Sequence, residues 1–321
     1  MRIDFLRADF DALADCWSRF FPARYRVDAA MIRRNTVESP VFDWGASFIE
    51  TGPEGVLGFV AVKRSANPSL YAGPDPDQAH ISAIAFTDPQ LGVDLLAQSK
   101  RVLRDRGVYK VVFGQDSRHF FPGCPEDFPL LRSFLEVEGF QARGTEVDLE
   151  RDLADYEPKP GTLEALAREG AEVRPVQPDE AQDLQAFLAR EFPGRWTHDV
   201  MHKIEQEGRS DFVYALWTED GVNGFAHTQD WSHRLPVCGA VWHLDLGPNW
   251  GALGPIGVSK SLRGRGLGDA LLSAALVGLR DRGARRTIID WTTLERYYGG
   301  HGFAVARRYH TLGLLLEPVG G

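Results

Sequence analysis

Gly254-Pro-Ile-Gly-Val258, followed by Ser259-Lys-Ser-Leu-Arg263-Gly-Arg-Gly-Leu-Gly268, decides how this 321-residue chain is read. A short apolar stretch of strand character runs into a loop dense in glycine, and a helix begins at the loop's end. Gly264, Gly266 and Gly268 can take backbone angles closed to other residues. Successive N–H groups can then converge as an anion nest at the helix N-terminus, where the dipole also favours negative charge. Arg263 and Arg265 add charge and fork-shaped donors. The loop therefore suits a diphosphate. Beyond it, Leu267, Ala270, Leu271, Ala274 and Gly278 fall on one face, so the helix is expected to pack on a sheet. A Walker loop would end in Gly-Lys-Ser/Thr, whereas Gly268 is followed by Asp269. The dinucleotide fingerprint needs a different glycine spacing and a following βαβ unit with an acidic ribose contact.

Arg-x-x-Gly-x-Gly between a strand and a helix resembles the coenzyme A pyrophosphate loop of the GCN5-related N-acetyltransferase (GNAT) family. After the helix and one more strand comes Asp290-Trp-Thr-Thr-Leu-Glu-Arg-Tyr-Tyr298-Gly-Gly-His-Gly302-Phe303. This is similar to the family's Tyr-x-x-x-Gly-Phe element. The resemblance covers roughly residues 172–316. It implies acetyl-CoA as cosubstrate, held by the backbone of Ile256, Gly257 and Val258 and by the loop Arg263, Gly264, Arg265, Gly266, Leu267, Gly268 and Asp269. It also implies that an N–H of Val258 or a neighbour faces the thioester oxygen, and that Tyr298 protonates the departing thiolate. Gly254 and Pro255 suit a strand that splays open, since proline donates nothing to a ladder. The base that takes the amine proton is less marked, because the 254–258 strand carries no Glu. Asp290, at the end of a strand that should abut the thioester, is the first candidate. Its other reading is a cap on the next helix through the N–H groups of Thr292 or Thr293. Asp245, His227, Asp230 and Glu295 stand in reserve, as does a water relay.

The chain also repeats itself. Leu103-Arg-Asp-Arg-Gly107 recurs as Leu279-Arg-Asp-Arg-Gly283, Gly55-Val-Leu-Gly-Phe59 as Gly221-Val-Asn-Gly-Phe225, and Glu138-Gly-Phe140 as His301-Gly-Phe303. The markers keep their order, which points to a duplication. Each half then reads as a short strand, an amphipathic stretch, a hairpin, a helix stopped by Gly107 or Gly283, a strand, a short helix and a closing strand (143–149 or 309–316). Phe192-Pro-Gly-Arg-Trp196, Ile289-Asp-Trp-Thr292 and Phe121-Pro-Gly-Cys-Pro125 look like stretches of bacterial tandem acetyltransferases. The phosphate loop is written only in the second half. The pentapeptide offset sets Thr87-Asp-Pro-Gln-Leu-Gly92 opposite Arg263–Gly268, with Asp88 and Pro89 opposing anion binding. Leu135 stands where Tyr298 does.

Composition bounds the function. Thirty-six Lys and Arg against 45 Asp and Glu leave a net charge of −9, which opposes nucleic-acid phosphates and anionic lipid and suits a cationic amine. Three distant cysteines, Cys16, Cys124 and Cys238, make neither a disulfide framework nor a typical zinc site. The charged N-terminus does not read as a signal peptide, and no segment reads as a membrane span. His198-Asp-Val-Met-His202 has helical two-histidine spacing, yet without the zincin Glu or a third ligand it reads as a helix face. Trp196, Trp231, Trp242 and Trp250 could line a cleft or fill the core, and Arg285 and Arg286 could meet the coenzyme's 3′-phosphate or form a solvated turn.

The expectation is an α+β protein with a mixed sheet and two tandem acyl-CoA N-acyltransferase (GNAT) domains. Residues 1–151 would form a domain with a degenerate coenzyme site, 152–170 a linker, and 171–321 the acetyl-CoA-binding, catalytic domain. The expected function is a cytoplasmic, acetyl-CoA-dependent N-acetyltransferase acting on a primary amine of a small molecule, with no metal, nucleic acid or membrane partner. The alternatives are a non-catalytic acyl-CoA sensor and an aminoacyl or peptidyl transferase of related doubled fold. The sequence leaves the amine and the oligomeric state open.

Overall fold

The structure, a computed structural model, describes residues 1–64, 78–234, 236 and 238–317. In chain order the first half forms β1 (Arg2–Ile3), α1 (Phe10–Phe20), α2 (Ala29–Asn35), β2 (Phe48–Gly52), β3 (Gly55–Lys63), β4 (Gln78–Phe86), α3 (Pro89–Asp105), β5 (Lys110–Phe113), β6 (Cys124–Pro125), α4 (Pro129–Val137) and β7 (Gln141–Asp152). The second half forms α5 (Thr162–Arg168), β8 (Glu172–Pro175), α6 (Ala181–Glu191), α7 (Arg195–Glu207), β9 (Val213–Thr218), β10 (Gly221–Asp230), α8 (His243–Leu246), β11 (Gly251–Val258), α9 (Leu267–Asp281), β12 (Arg286–Thr292), α10 (Glu295–Gly299) and β13 (Ala304–Leu315).

The duplication is written in hydrogen bonds as well as letters. Gly107 and Gly283 both take positive φ just past a helix end. The next residue's N–H then reaches back to the same carbonyl of the repeated pentapeptide, Val108 to Leu103 and Ala284 to Leu279. This is the left-handed stop that only glycine makes cheaply. At the Gly-Phe marker the Phe140 N–H donates to Leu135 and the Phe303 N–H to Tyr298, so the backbone itself places Leu135 where Tyr298 stands.

The chain divides into two compact units, Met1–Val147 with Arg307–Gly321, and Asp148–Ala306. In the first, the strands lie in the order β1-β2-β3-β4-β5-β13; in the second, β7-β12-β11-β10-β9-β8. The strand expected to close the second half therefore adds to the first unit, with Leu312 opposite Phe113 and Leu314 opposite Val111. The first half's closing strand ends in the second unit beside β12. Apolar alternation marks such strands as half-buried but does not name the sheet they join.

Among the described residues β4 pairs with β5, and β11 with β12, in parallel beside antiparallel neighbours, so each unit is a mixed sheet. In the second unit, α6 and α7 contribute Leu184, Phe187, Leu188 and Val200 to a core that also takes Phe212, Val213, Ala215 and Phe225 from the sheet side. The hydrophobic face of α9 buries Leu267, Ala270, Leu271 and Leu276. Among the described residues no helix is long and apolar enough to cross a membrane.

Candidate active site

Two strands part company at the centre of the second unit. β11 and β12 pair in parallel at Gly251↔Thr287 and Ala252↔Ile288. Just beyond, the β10–β11 register slips between Ala226 and Thr228, opposite Gly254 and Pro255. His227 Nδ1 donates to the Gly254 carbonyl at 2.9 Å, and proline has no N–H to offer the ladder. Further along, Ser259 N–H donates to Asn223 O of β10. Since antiparallel strands alternate the direction of their backbone groups, Val258 and Ile256 turn theirs away from β10, toward the opening. Arg263 Nε already uses the Val258 carbonyl, at 3.2 Å. Gly257 serves packing as well: a Cβ there would lie 2.4 Å from the Phe192 ring.

The loop that follows leads to the start of α9. Gly264 and Gly266 have φ of +77° and +84°, and no side chain caps the helix at Gly266. Its first N–H groups, left without helical partners, are the donors an anion would use. Arg263 to Gly266 are exposed, while Leu267 is buried and can offer only its backbone. Arg265 donates to Glu169 at 2.8 Å and to the Ser261 carbonyl. The Asp269 carboxylate accepts from His301 Nε2 at 2.8 Å and from Lys159 at 3.3 Å. Burial works to raise the Asp269 pKa, but these two donors hold it below the usual range.

Tyr298 lies buried on α10, against Tyr297 and Phe303. Burial first, and the negative charge of Asp290 second, push its phenol up to about 12. It therefore keeps its proton across the physiological range. A Cβ added to Gly254 would sit 3.6 Å from Asp290 Oδ1, and one added to Gly239 3.0 Å from it. Asp290 thus stands at the parting of the strands, near Tyr298. The turn into α10 is made by Thr292, whose hydroxyl accepts the Leu294 N–H at 3.0 Å.

The other residues singled out by sequence are placed differently. Asp245 accepts from Arg286 at 3.2 Å, and Arg286 also binds Glu150, so that arginine is tied into β7 and α8 rather than left for a phosphate. Asp230 is buried; burial opposes its charge, but hydrogen bonds from His233, Ser232 and Arg282 hold its pKa far below the ordinary range. Glu295 is exposed in the first turn of α10. Burial lowers His227 to about 4, leaving a neutral imidazole. His198 and His202 stack at 5.6 Å on α7, and among the described residues no three potential metal ligands come together. Trp242 and Trp250 are buried in the core, and Trp231 is exposed.

Sequence reasoning missed three features. Trp291, not one of the four tryptophans named above, stands beside Asp290 with φ +44° and a guanidinium, that of Arg195, 4.9 Å over its ring. Asp148 of β7 accepts the Trp291 N–H at 3.1 Å and the Trp242 indole N–H at 3.2 Å. The supposed linker braces the glycine loop: Ala165 of α5 is the neighbour a Cβ on Gly266 would meet, and Arg168 donates to the Arg265 carbonyl at 2.7 Å. No local pattern advertises these roles, because each partner lies about a hundred residues or more away in the chain.

The fold and the loop together define an α+β acyl-CoA N-acyltransferase architecture built twice. Residues 181–303, which lie within the second unit, match the Acetyltransferase (GNAT) family. The chain is 28% identical over 178 residues to the mycothiol acetyltransferase of Corynebacterium aurimucosum, covering 50% of this chain and 55% of that protein. Among solved structures, it resembles the GCN5-related glucosamine N-acetyltransferase region of a fungal multi-domain GH3 β-N-acetylglucosaminidase, with TM-score 0.84 and 22% identity over 98% of this chain and 38% of the other. A GCN5-related N-acetyltransferase of Sphaerobacter thermophilus gives TM-score 0.68 at 16% identity, covering 99% of this chain and 96% of the other. A tandem GNAT protein from the clavulanic acid biosynthesis pathway gives 0.64 at 13%, covering 97% and 94%. The chain spans about half the length of the curated relative and a smaller share of the fungal one.

Proposed function

We propose that the second unit binds acetyl-CoA and transfers the acetyl group to a primary amine of a small molecule, in the cytoplasm. The observation that carries this reading is the uncapped, glycine-lined start of α9 at the end of a strand that parts from its neighbour beside Tyr298 and Asp290. The α9 N–H groups and Arg263 would hold the diphosphate, and the outward backbone of Ile256 and Val258 would align the arm that carries the thioester. The amine nitrogen attacks the thioester carbonyl, forming C–N. Asp290 takes the proton the amine loses, directly or through water. As C–S breaks, Tyr298 gives its proton to the sulfur. An N–H of Val258 facing the gap would stabilise the oxyanion.

The small-molecule acceptor is supported by the net charge of −9, which favours a cationic amine over an anionic polymer. Glucosamine, the amine in the fungal relative's name, is the first to try. Thiol release from acetyl-CoA, measured with a pooled amine library that includes glucosamine, tests the reading. Release that depends on one class of amine is expected. Tight coenzyme binding with no release for any amine would favour a non-catalytic sensor instead.

A further inference from the structure

Asp148 is fully buried within β7, a strand that lies in the first half of the chain. Its two oxygens reach separate elements. Oδ1 accepts the N–H of Trp291 and Oδ2 the indole N–H of Trp242. The first bond grips the peptide group that joins Asp290 to Trp291, and therefore the plane attached to the Asp290 Cα. Trp291 has φ +44°, a conformation that a bulky side chain adopts only where surroundings enforce it. A hydrogen bond from its N–H to a buried carboxyl group is such an enforcement. The second bond anchors Trp242, the last residue of the 3-10 turn Cys238–Trp242. That turn presents Gly239, which lies against the Asp290 carboxylate. Two residues on, Glu150 pairs with Arg286 at the start of β12, so β7 secures the strand at both ends.

The geometry points to Asp148 as a positioning residue that sets the Asp290 carboxylate by fixing the backbone on one side of it and the Gly239 turn on the other. The site of the second half is then incomplete without a strand encoded in the first. This rests on the reading of Asp290 as the base in acetyl transfer.

The test uses the full chain and Asp148→Asn, which keeps shape but replaces one acceptor oxygen with a donor. Amide exchange at Trp291 should accelerate, while exchange in α9 and the affinity for acetyl-CoA stay unchanged. With the amine selected by the thiol-release screen, kcat should fall by about 10- to 100-fold, the scale of a sub-ångström to ångström misplacement, with KM for acetyl-CoA constant. In an Asp290→Asn background the same substitution should cost nothing further, because coupled residues are not additive. An equal loss in both backgrounds, or a loss of coenzyme affinity in parallel, would show that Asp148 acts on folding at large and would overturn the inference. Faster exchange at Trp291 with kcat intact would overturn it too. Failure of the proposed function looks different: the unmodified protein would turn over no amine, or Asp290→Asn alone would leave kcat unchanged.

Discussion

The N-termini of α3 and α9 occupy the same place in the two repeats and meet their surroundings in opposite ways. At α9 the cap position is Gly266, left-handed, with no side chain on the first N–H groups. At α3 it is Asp88, whose carboxylate accepts from Gln90 and Leu91 at 2.9 and 3.3 Å, with Pro89 next in line. One helix start offers donors; the other has used or lost them. The strands differ likewise. The register slip that falls at Gly254 in β11 falls at Ser82 in β4. Ser82 donates to Asp116 Oδ2 at 2.8 Å, and the same oxygen accepts from Lys63 at 2.5 Å, both partners of that ion pair being about 1% exposed. Phe86, in the register position of Val258, packs against Phe20 and Phe134 and over Gly92. We read the first unit as a fold kept while its coenzyme site filled with aromatic rings and a buried ion pair.

The difference between Tyr298 and Leu135 should be the most costly to erase. Tyr298→Phe keeps the ring and removes the proton, so turnover should fall by roughly 10²–10⁴ with coenzyme affinity unchanged. Because burial and Asp290 raise the phenol to about 12, its ionisation should impose no alkaline limb on kcat below about pH 11. Steady-state rates across pH check both points, and a loss under a few-fold would assign Tyr298 to packing.

Next comes the ion pair that fills the first unit. Burial would raise the Asp116 carboxyl, but the charge and hydrogen bond of Lys63, together with His80 and His119, hold the pKa below the ordinary value. A depressed carboxyl contributes stability above its unfolded pKa, and that contribution is lost as pH falls through the folded value. Lys63→Met should destabilise by about 3–5 kcal/mol, since it strands a buried charge. Urea unfolding at neutral pH should show that loss and a smaller one in acid, where Asp116 can protonate. A loss under about 1 kcal/mol would mean that Asp116 is solvated or otherwise paired.

Gly266→Asp would give α9 the negative charge that α3 already carries. Gly266 sits at φ +84°, strained for an aspartate, and the carboxylate would face the nest. Loss of charge-assisted bonding on the order of 2–3 kcal/mol corresponds to a rise in acetyl-CoA Kd of about two orders of magnitude. Calorimetry should give one site per chain for the unmodified protein. Two sites of similar affinity would break the contrast between the units.

Local chemistry was legible in the sequence, and long-range pairing was not. Gly107 and Gly283 announce helix stops because left-handed φ favours glycine, and Gly264 and Gly266 announce the loop for the same reason. Tyr298 and Leu135 could be aligned because the x-Gly-Phe turn fixes them by a short-range bond. The exchange of β7 and β13 leaves no local trace. Asp148 reads as one more polar residue in an alternating strand until Trp291, far along the chain, is seen to donate to it. Asp269 lies in the first turn of α9, as the motif requires, but its carboxylate is committed to His301 and Lys159, which spacing could not reveal.

The smallest expected effect concerns α5, the brace that sequence reading took for part of a linker. Glu169, just past that helix, accepts from Arg265 at 2.8 Å and from Arg168 at 3.2 Å. Arg265 first, and Arg168 second, hold its carboxyl below the usual range. The pair is near solvent, where an ion pair is weak and readily traded for another partner. If Arg265 turns from Glu169 to the diphosphate on binding, Glu169 competes with the coenzyme. Glu169→Gln should then tighten acetyl-CoA by about two- to threefold at low salt, and the gain should fade near 1 M salt, where the screening length is about 3 Å. Weaker binding in the variant would reverse the assignment: Glu169 would be holding Arg265 ready for the coenzyme. Calorimetric titration at two ionic strengths separates these signs, because competition yields a salt-sensitive gain whereas preorientation yields a loss.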